Sequence, residues 1–323
     1  MPYNSIQDAI GVRETNEKGI YESIHPPERM GNAAAIAYGG CTLAIACMTA
    51  HQSLPASHRL YSMTGNFLGP ALCDRVLRAR VQEVRRTRTF TTRIVTVSQI
   101  QDDGTERSCL VSLVDFHAVE PGELFRYSKP PTREYKGWDG QTSLDELRED
   151  LVRDGKLHPK IAALHQKAFG LAAGLFEGRP CRGSMAAETL LGFAKEVPTD
   201  QDGLEMWEKS SGDWWRCKGE LKSRAEQAAA LAFQMDGAVS FMPLVHSHMS
   251  LADAGACSTL DFALRVMGND FDLNKWCHRE WKCIAAGVGR TYSEAQVWDE
   301  EGRMIASMTQ SCIMRPLKEK GKL

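Results

Sequence analysis

Two segments of the chain repeat the same order of hydrophobic patterns. Each opens with a run of small apolar residues that has no polar face, at 39–54 and at 223–244. Runs rich in alternating apolar and β-branched residues follow. Length and Ala, Leu and Met content predict helices for the first kind of run, and alternation predicts strands for the second. The predicted strand regions are 59–69, 75–101 and 108–119, then 257–266, 276–299 and 304–317. The sequence therefore predicts a duplicated unit.

Local signals predict where these elements begin and end. Ser223, with Glu226 three residues later, is typical of a helix start. Acidic residues followed by glycine predict hairpin turns at 102–104 and 300–302. Because both helices are apolar around their circumference, other elements must surround each of them. An antiparallel sheet curled around one buried helix meets that need. The predicted fold class is therefore α+β, a double hot-dog with two sheets joined edge to edge.

The chain divides into three predicted regions: an N-terminal hot-dog unit at 1–125, a linker at 126–175 and a C-terminal hot-dog unit at 176–323. Prolines and polar residues begin the linker, whose later part, 143–170, is predicted to be helical with a break between Gly155 and Pro159. The second unit is predicted to start with an outer strand at 185–193. Another strand is predicted at 204–209, before a turn at 210–212.

Composition narrows the classes of function. The 323 residues include 39 basic and 41 acidic ones, so a net charge of −2 gives no field that attracts nucleic acid. No stretch of the sequence approaches the roughly 20 consecutive apolar residues that are typical of a membrane-spanning helix. The N-terminus lacks the pattern of a secretory signal, and ten scattered cysteines without a C-x-x-C pair are typical of reduced thiols. We therefore expect an intracellular protein, either cytoplasmic or in the peroxisomal matrix if Gly321-Lys322-Leu323 is read as a targeting signal.

Several chemistries lack their motifs. The chain has no G-x-S-x-G and no G-x-x-x-x-G-K-[ST], and the glycines at 287–289 lack the third glycine of a dinucleotide loop. His246 and His248 are weak metal candidates and are predicted to be a surface or loop pair. Hot-dog hydratases resemble one another in an Asp-x-x-x-x-His motif, whereas Asp154 and His158 are one residue too close. We predict no cofactor and no metal.

Four local patterns resemble the acyl-CoA thioesterase II family, the double hot-dog thioesterases of bacteria and peroxisomes. They are the paired glycines Gly39 and Gly40, the helix end at 230–236, the Ser-Thr-Leu-Asp run at 258–261 and the closing strand at 306–315. The resemblance covers roughly residues 30–118 and 200–316. Its C-terminal patterns are much more specific than its N-terminal ones.

The resemblance implies a hydrolytic trio of Asp236, Thr259 and Gln310. A carboxylate can accept a proton from an attacking water, and a hydroxyl and a carboxamide can orient that water. The implied reaction is direct hydrolysis without a covalent intermediate. Backbone N–H groups of Gly39 and Gly40 at a helix start are candidates to stabilise the oxyanion.

The implied substrate partner is an acyl-CoA or an acyl group held on a carrier protein. Arg85, Arg86 and Arg88 form a basic cluster that either contacts coenzyme A phosphates or is a solvated face. Neither nucleic acid nor a membrane span is expected. Outer sheet faces often pair, so we expect that a homo-oligomer can form, although the sequence does not determine its number of copies.

Three departures from the family leave the substrate open. Cys41 stands where the family usually has Gln, the run 63–70 lacks the family's His and Tyr, and Phe262 replaces a His. These positions match the acyl tunnel or its entrance. Two alternatives therefore remain: a specialised acyl-processing or product-releasing enzyme of a biosynthetic pathway, and a non-catalytic acyl-binding hot-dog protein.

Overall fold

A computed structural model describes residues 3–31 and 34–317, and its strands form one antiparallel sheet. The strands are β1 (Val12–Glu14), β2 (Ile20–Ser23), β3 (His58–Phe67), β4 (Arg78–Arg86), β5 (Phe90–Ile100), β6 (Glu106–Ala118), β7 (Phe176–Pro180), β8 (Ser210–Cys217), β9 (Ala254–Val266), β10 (Cys277–Gly287), β11 (Arg290–Trp298) and β12 (Met304–Pro316). The α-helices are α1 (Ile6–Ile10), α2 (Gly39–Ala50), α3 (Leu144–Arg153), α4 (Pro159–Leu175), α5 (Met185–Glu188), α6 (Arg224–Met235) and α7 (Met242–Val245). Short 3₁₀ turns lie at Trp138–Gly140, Val239–Phe241 and Leu251–Asp253.

The strand order is β1-β2-β4-β5-β6-β3-β9-β12-β11-β10-β8-β7, which is two six-stranded halves joined at β3 and β9. The two joining strands pair from Ser62 opposite Arg265 to Asn66 opposite Asp261. The double hot-dog prediction and the edge-to-edge junction are thus confirmed. Within the described residues, the junction leaves β1 and β7 as the edges of the sheet.

The two long apolar helices, α2 and α6, pack against each other in the middle of the molecule. Every residue of α2 after Gly39 is buried. The predicted start of α6 is confirmed, because the Ser223 hydroxyl accepts from the N–H of Glu226 and the Glu226 carboxylate accepts from the N–H of Ser223. Residues 224–245 are apolar enough to span a membrane, but 78% of their most apolar stretch is buried within this fold.

The two halves are related by an approximate twofold axis through the β3–β9 junction. Thr64 and Ala263 pair at the middle of that ladder, so the axis exchanges these two residues. Each residue of β3 therefore corresponds to the residue 199 positions later in β9. Both strands carry a β-bulge, where Tyr61 and Leu260 are skipped in the pairing with β6 and β12. Because 61 and 260 also differ by 199, the bulges are equivalent and support this correspondence.

Two predicted strands are wrong. The region 185–193 contains α5 and a turn whose non-glycine residues Leu190 and Leu191 have φ of 48° and 54°. Its apolar side chains pack against Leu147 and Leu151 of α3 rather than lining a sheet. The region 204–209 is a turn, and the predicted turn at 210–212 is the beginning of β8.

The helical part of the linker agrees with its prediction, whereas the edges of the sheet contain strands that were missed. The break between the two linker helices is confirmed by the ends of α3 and α4. The outer strands β1, β2 and β7 were not predicted, because they are only three to five residues long and show no clear alternation. All ten cysteines are free thiols, eight of them buried. The candidate targeting tripeptide at 321–323 lies outside the described residues.

Candidate active site

The three residues of the predicted trio come from three separate elements and meet on the inner face of the sheet. Asp236 is the C-cap of α6, Thr259 is on β9 and Gln310 is on the adjacent strand β12. Gln310 Nε2 donates to Asp236 Oδ1 over 2.7 Å, and Thr259 Oγ1 donates to Gln310 Oε1 over 3.0 Å. The structure therefore joins the three side chains in one chain of hydrogen bonds.

The β-bulge at Leu260 gives Thr259 its orientation. Gln310 lies opposite Phe262, whose side chain is buried on the inner face. In a regular strand, residues three apart face opposite sides, so Thr259 would face outward. The bulge inserts one extra residue between Thr259 and Asp261, which reverses the alternation. Thr259 therefore shares the inner face with Gln310.

The ionised carboxylate sets the direction of each hydrogen bond. A carboxylate only accepts, so the Gln310 amide must present its NH₂ group to Asp236. The amide oxygen then faces Thr259, whose hydroxyl must donate its only proton. Two lone pairs of the Thr259 oxygen remain to accept from a water. The sequence predicts that Thr259 and Gln310 orient the attacking water together, and in the structure these two side chains also bond each other directly.

The trio lies almost entirely out of solvent, since Asp236 is 7% and Gln310 0% exposed. Burial raises the pKa of Asp236 to about 6, and the hydrogen bonds from Gln310 and from the backbone N–H of Gly40 partly offset that rise by favouring the charged form. A carboxylate with a pKa near 6 is ionised at neutral pH, yet more basic than an exposed aspartate. That balance suits a general base.

The first unit contributes the opposite wall of the site. An added Cβ on Gly39 would lie 2.8 Å from Asp236 Oδ2 and 3.0 Å from Phe67 Cζ. The Phe67 ring in turn packs against Phe262, with centroids 5.9 Å apart. Gly39 thus allows the start of α2 to approach the carboxylate closely. In this structure the Gly40 N–H is directed at that carboxylate, so the oxyanion role of the two glycines stays a prediction.

Comparisons with known proteins decide the family. Residues 26–117 match the acyl-CoA thioesterase N-terminal domain, and residues 180–314 match the acyl-CoA thioesterase C-terminal domain. Together these matches cover more than half of the chain. This protein belongs to the acyl-CoA thioesterase family. No curated protein matches its sequence.

Solved structures share the fold of this thioesterase family member at low sequence identity. A TesB protein of Mycobacterium avium subspecies paratuberculosis is 14% identical with a TM-score of 0.67, covering 96% of this chain and 98% of its own. The acyl-CoA thioesterase II TesB2 of Mycobacterium marinum is 15% identical with a TM-score of 0.65, covering 98% and 99%. A putative thioesterase II of Thermobifida fusca is 16% identical with a TM-score of 0.68, covering 97% and 98%.

The equivalent place in the first unit of this family member lacks the trio. His51 follows α2 where Asp236 follows α6. The twofold correspondence puts Leu60 at the position of Thr259, and the buried Val114, opposite Met63, at the position of Gln310. Burial lowers the pKa of His51 to about 4, so this imidazole is neutral at pH 7. Among the residues that the structure describes, the carboxylate, hydroxyl and carboxamide thus occur together in the second unit and not at the equivalent place in the first.

The structure does not bring the arginine cluster to the trio. Gln310 and the β4 strand are separated by five strand spacings, about 24 Å along the sheet. Arg86 is paired with Glu83, and the Arg85 guanidinium lies over the Phe90 ring at 5.0 Å. Arg88 is exposed in the turn that follows. These contacts fit a solvated face, and contact with coenzyme A phosphates stays a prediction.

The two candidate metal histidines have other partners. His246 and His248 lie in the turn after α7, in agreement with the loop alternative, but His246 is fully buried rather than at the surface and bonds Ser211 Oγ through Nε2 and Cys283 Sγ through Nδ1. His248 bonds Asp202. Burial lowers the pKa of His246 to about 3, so its ring is neutral and structural. Within residues 3–31 and 34–317, no group of three metal-ligating side chains converges.

The raised pKa of Asp236 predicts a gain of stability in the Asp236→Asn variant. The folded protein binds a proton at the Asp236 carboxyl more tightly than the unfolded chain does. The free energy of unfolding therefore falls as the pH rises from about 4 through about 6. Asparagine removes the buried charge. The variant's free energy of unfolding should exceed that of the wild type by about 1–3 kcal/mol at pH 8, and by much less at pH 4.

Urea denaturation at the two pH values measures this difference. Asp139→Asn, which changes an exposed aspartate, is the control and should show no gain at either pH. An equal effect of Asp236→Asn at pH 4 and pH 8 would contradict a buried carboxylate with a raised pKa.

Proposed function

We propose that this protein hydrolyses an acyl thioester to a free acid and a thiol, with water attacking the carbonyl carbon directly. Asp236 takes a proton from the water as the oxygen–carbon bond forms. The tetrahedral intermediate then collapses, the carbon–sulfur bond breaks and the leaving sulfur takes the proton that Asp236 accepted, which yields the free thiol and restores the carboxylate. No step needs a covalent bond to the protein.

In this proposal each member of the trio has one task. The attacking water donates one proton towards the Asp236 carboxylate and the other to a free lone pair of Thr259. Gln310 holds both partners, because its amide bonds the Asp236 carboxylate on one side and the Thr259 hydroxyl on the other. Fixed partners in a site shielded from solvent reduce the reorganisation that the attack requires.

One observation carries the proposal: the buried hydrogen-bond chain from Thr259 through Gln310 to Asp236. A solvated helix cap would leave Asp236 exposed, and an ordinary strand glutamine would face the solvent. Here both are buried and share a bond of 2.7 Å. Membership of the acyl-CoA thioesterase family supports thioester chemistry for this chain.

The direct test is release of free thiol, followed with a thiol-reactive dye. The substrates are acyl-CoAs of increasing chain length and the same acyl groups on a phosphopantetheine carrier protein. Turnover of any of these substrates supports hydrolysis. Tight binding of the whole panel without thiol release would favour an acyl-binding protein. Release from the carrier-bound forms alone would favour a product-releasing enzyme.

We expect kcat/KM to rise with pH and to level off above an apparent pKa of about 6. The base must be deprotonated, and the pKa of Asp236 is raised to about 6 by burial. The initial rate at low substrate concentration, measured from pH 4.5 to pH 8.5, gives this profile. A rate that stays constant down to pH 4.5 would argue against Asp236 as the base.

A further inference from the structure

Three side-chain donors converge on the backbone carbonyls around Asp236. Tyr38 Oη donates to the Phe233 carbonyl over 2.7 Å. Arg279 Nη1 donates to the Gln234 carbonyl over 2.6 Å. Trp281 Nε1 donates to the Gly237 carbonyl over 2.9 Å. We call Tyr38, Arg279 and Trp281 the carbonyl clamp.

The end of α6 needs such donors because it is buried. The last carbonyls of a helix have no partner within the helix, and water normally satisfies them. Here Phe233, Met235 and Asp236 are buried, which leaves little access for solvent. The chain then turns sharply, with Ala238 at a φ of 70°. Tyr38 provides a donor for the Phe233 carbonyl, and Arg279 adds a second donor to the Gln234 carbonyl, which also accepts from the N–H of Gly237. Trp281 holds the first residue of the turn through the Gly237 carbonyl.

The clamp is itself held rigidly. The Arg279 guanidinium makes two bonds to the Asp213 carboxylate, of 3.1 and 2.7 Å, and lies 4.1 Å from the centre of the Trp281 ring. Both residues are on β10 and are 4% exposed. Tyr38 packs edge-on against Phe233, with ring centroids 5.1 Å apart. None of these side chains can move without disturbing close neighbours.

Tyr38 and Arg279 reach the same backbone turn from opposite halves of the protein. A Cβ added to Gly237 would lie 3.5 Å from both Arg279 Nη1 and Tyr38 Oη. Tyr38 belongs to the first unit and directly precedes α2, whereas β10 belongs to the second unit. The position of the Asp236 backbone thus depends on both halves.

We propose that Tyr38, Arg279 and Trp281 are positioning residues that hold the Asp236 carboxylate within hydrogen-bonding distance of Gln310. The inference rests on the proposed thioester hydrolysis. The three side chains bond to the backbone on either side of Asp236 and act through that residue, without contacting substrate. A small rotation of the last turn of α6 would lengthen the 2.7 Å bond between Asp236 and Gln310. Even a displacement of about 1 Å can lower turnover, because the carboxylate is then no longer placed to accept the proton of the attacking water.

The test uses substitutions that remove the hydrogen bond of each clamp residue; Tyr38→Phe keeps the ring, and Trp281→Phe keeps a smaller aromatic ring. Tyr38→Phe and Trp281→Phe should each lower kcat about 10-fold while KM stays within about 3-fold. Arg279→Lys, which keeps the charge but not the two-bond contact with Asp213, should lower kcat at least as much. Matched controls are Tyr3→Phe and Trp298→Phe, whose side chains also donate to a backbone carbonyl over 2.8 Å, to Pro26 and Lys129. The controls should keep kcat within about 2-fold.

A second arm separates positioning from general destabilisation. The residual turnover of Asp236→Asn should not fall further when Tyr38→Phe or Trp281→Phe is added, because both act through the missing carboxylate. If Tyr38→Phe or Trp281→Phe lowers the turnover of Asp236→Asn by the same factor as it lowers that of the wild type, the proposal is overturned. An unchanged kcat in folded Tyr38→Phe and Trp281→Phe would also overturn it. Wild-type protein that releases no thiol from any substrate would instead overturn the proposed hydrolysis, and the positioning role with it.

Discussion

Asp236→Asn should lower kcat at least about 100-fold, because it removes the only proposed proton acceptor and leaves the shape of the side chain unchanged. Gln310 can rotate its amide to bond the new carboxamide, so the fold should persist. Steady-state release of thiol gives kcat, and circular dichroism with a thermal melt reports the fold. The variant should be folded at pH 8 and more stable than the wild type by about 1–3 kcal/mol.

Asp261→Asn is the matched control. This carboxylate is two residues from Thr259 on the same strand, but it lines a groove on the outer face of the sheet with Thr64 and Asn66. Its loss should change kcat by less than about 2-fold. A folded Asp236→Asn variant with turnover close to that of the wild type would remove the proposed mechanism.

Gly40→Ala should damage both the site and the fold. The new methyl group would lie 2.3 Å from Tyr38 Cε1 and 2.5 Å from the Phe233 carbonyl oxygen. Both neighbours are held, since they share the hydrogen bond from Tyr38 Oη to Phe233. Relief of the clash must separate α2 from the end of α6. We expect a loss of about 2–3 kcal/mol in stability and at least about 10-fold in kcat.

Gly170→Ala provides the comparison. Gly170 lies inside helix α4, where an added Cβ would meet nothing within 4 Å. Alanine favours a helix interior more than glycine does, so this variant should gain up to about 1 kcal/mol. Urea denaturation measures both variants. Equal stabilities of the two would show that the contact between α2 and α6 at Gly40 is loose, against the geometry described here.

The elements that the sequence predicted well are long and strongly patterned. Alternation predicted the regions of β3, β5, β6, β9 and β12, and the small apolar runs predicted α2 and α6. The predictions failed where an apolar run is covered by something other than a sheet. Residues 185–193 look like a strand, but α3 buries their apolar side chains as a turn and a short helix. The short edge strands were missed because three to five residues do not establish a period.

The sequence by itself determined the duplicated unit and the buried helices, because local periodicity carries that information, and its family motifs predicted the trio of Asp236, Thr259 and Gln310. Only the tertiary structure decided how these groups meet. The bulge at Leu260 changes which way Thr259 faces, and the amide of Gln310 takes its direction from a carboxylate 74 residues away. The carbonyl clamp also depends on contacts between distant parts of the chain, such as Tyr38 with Phe233. Such contacts depend on pairing register and helix packing, which no short stretch of sequence encodes.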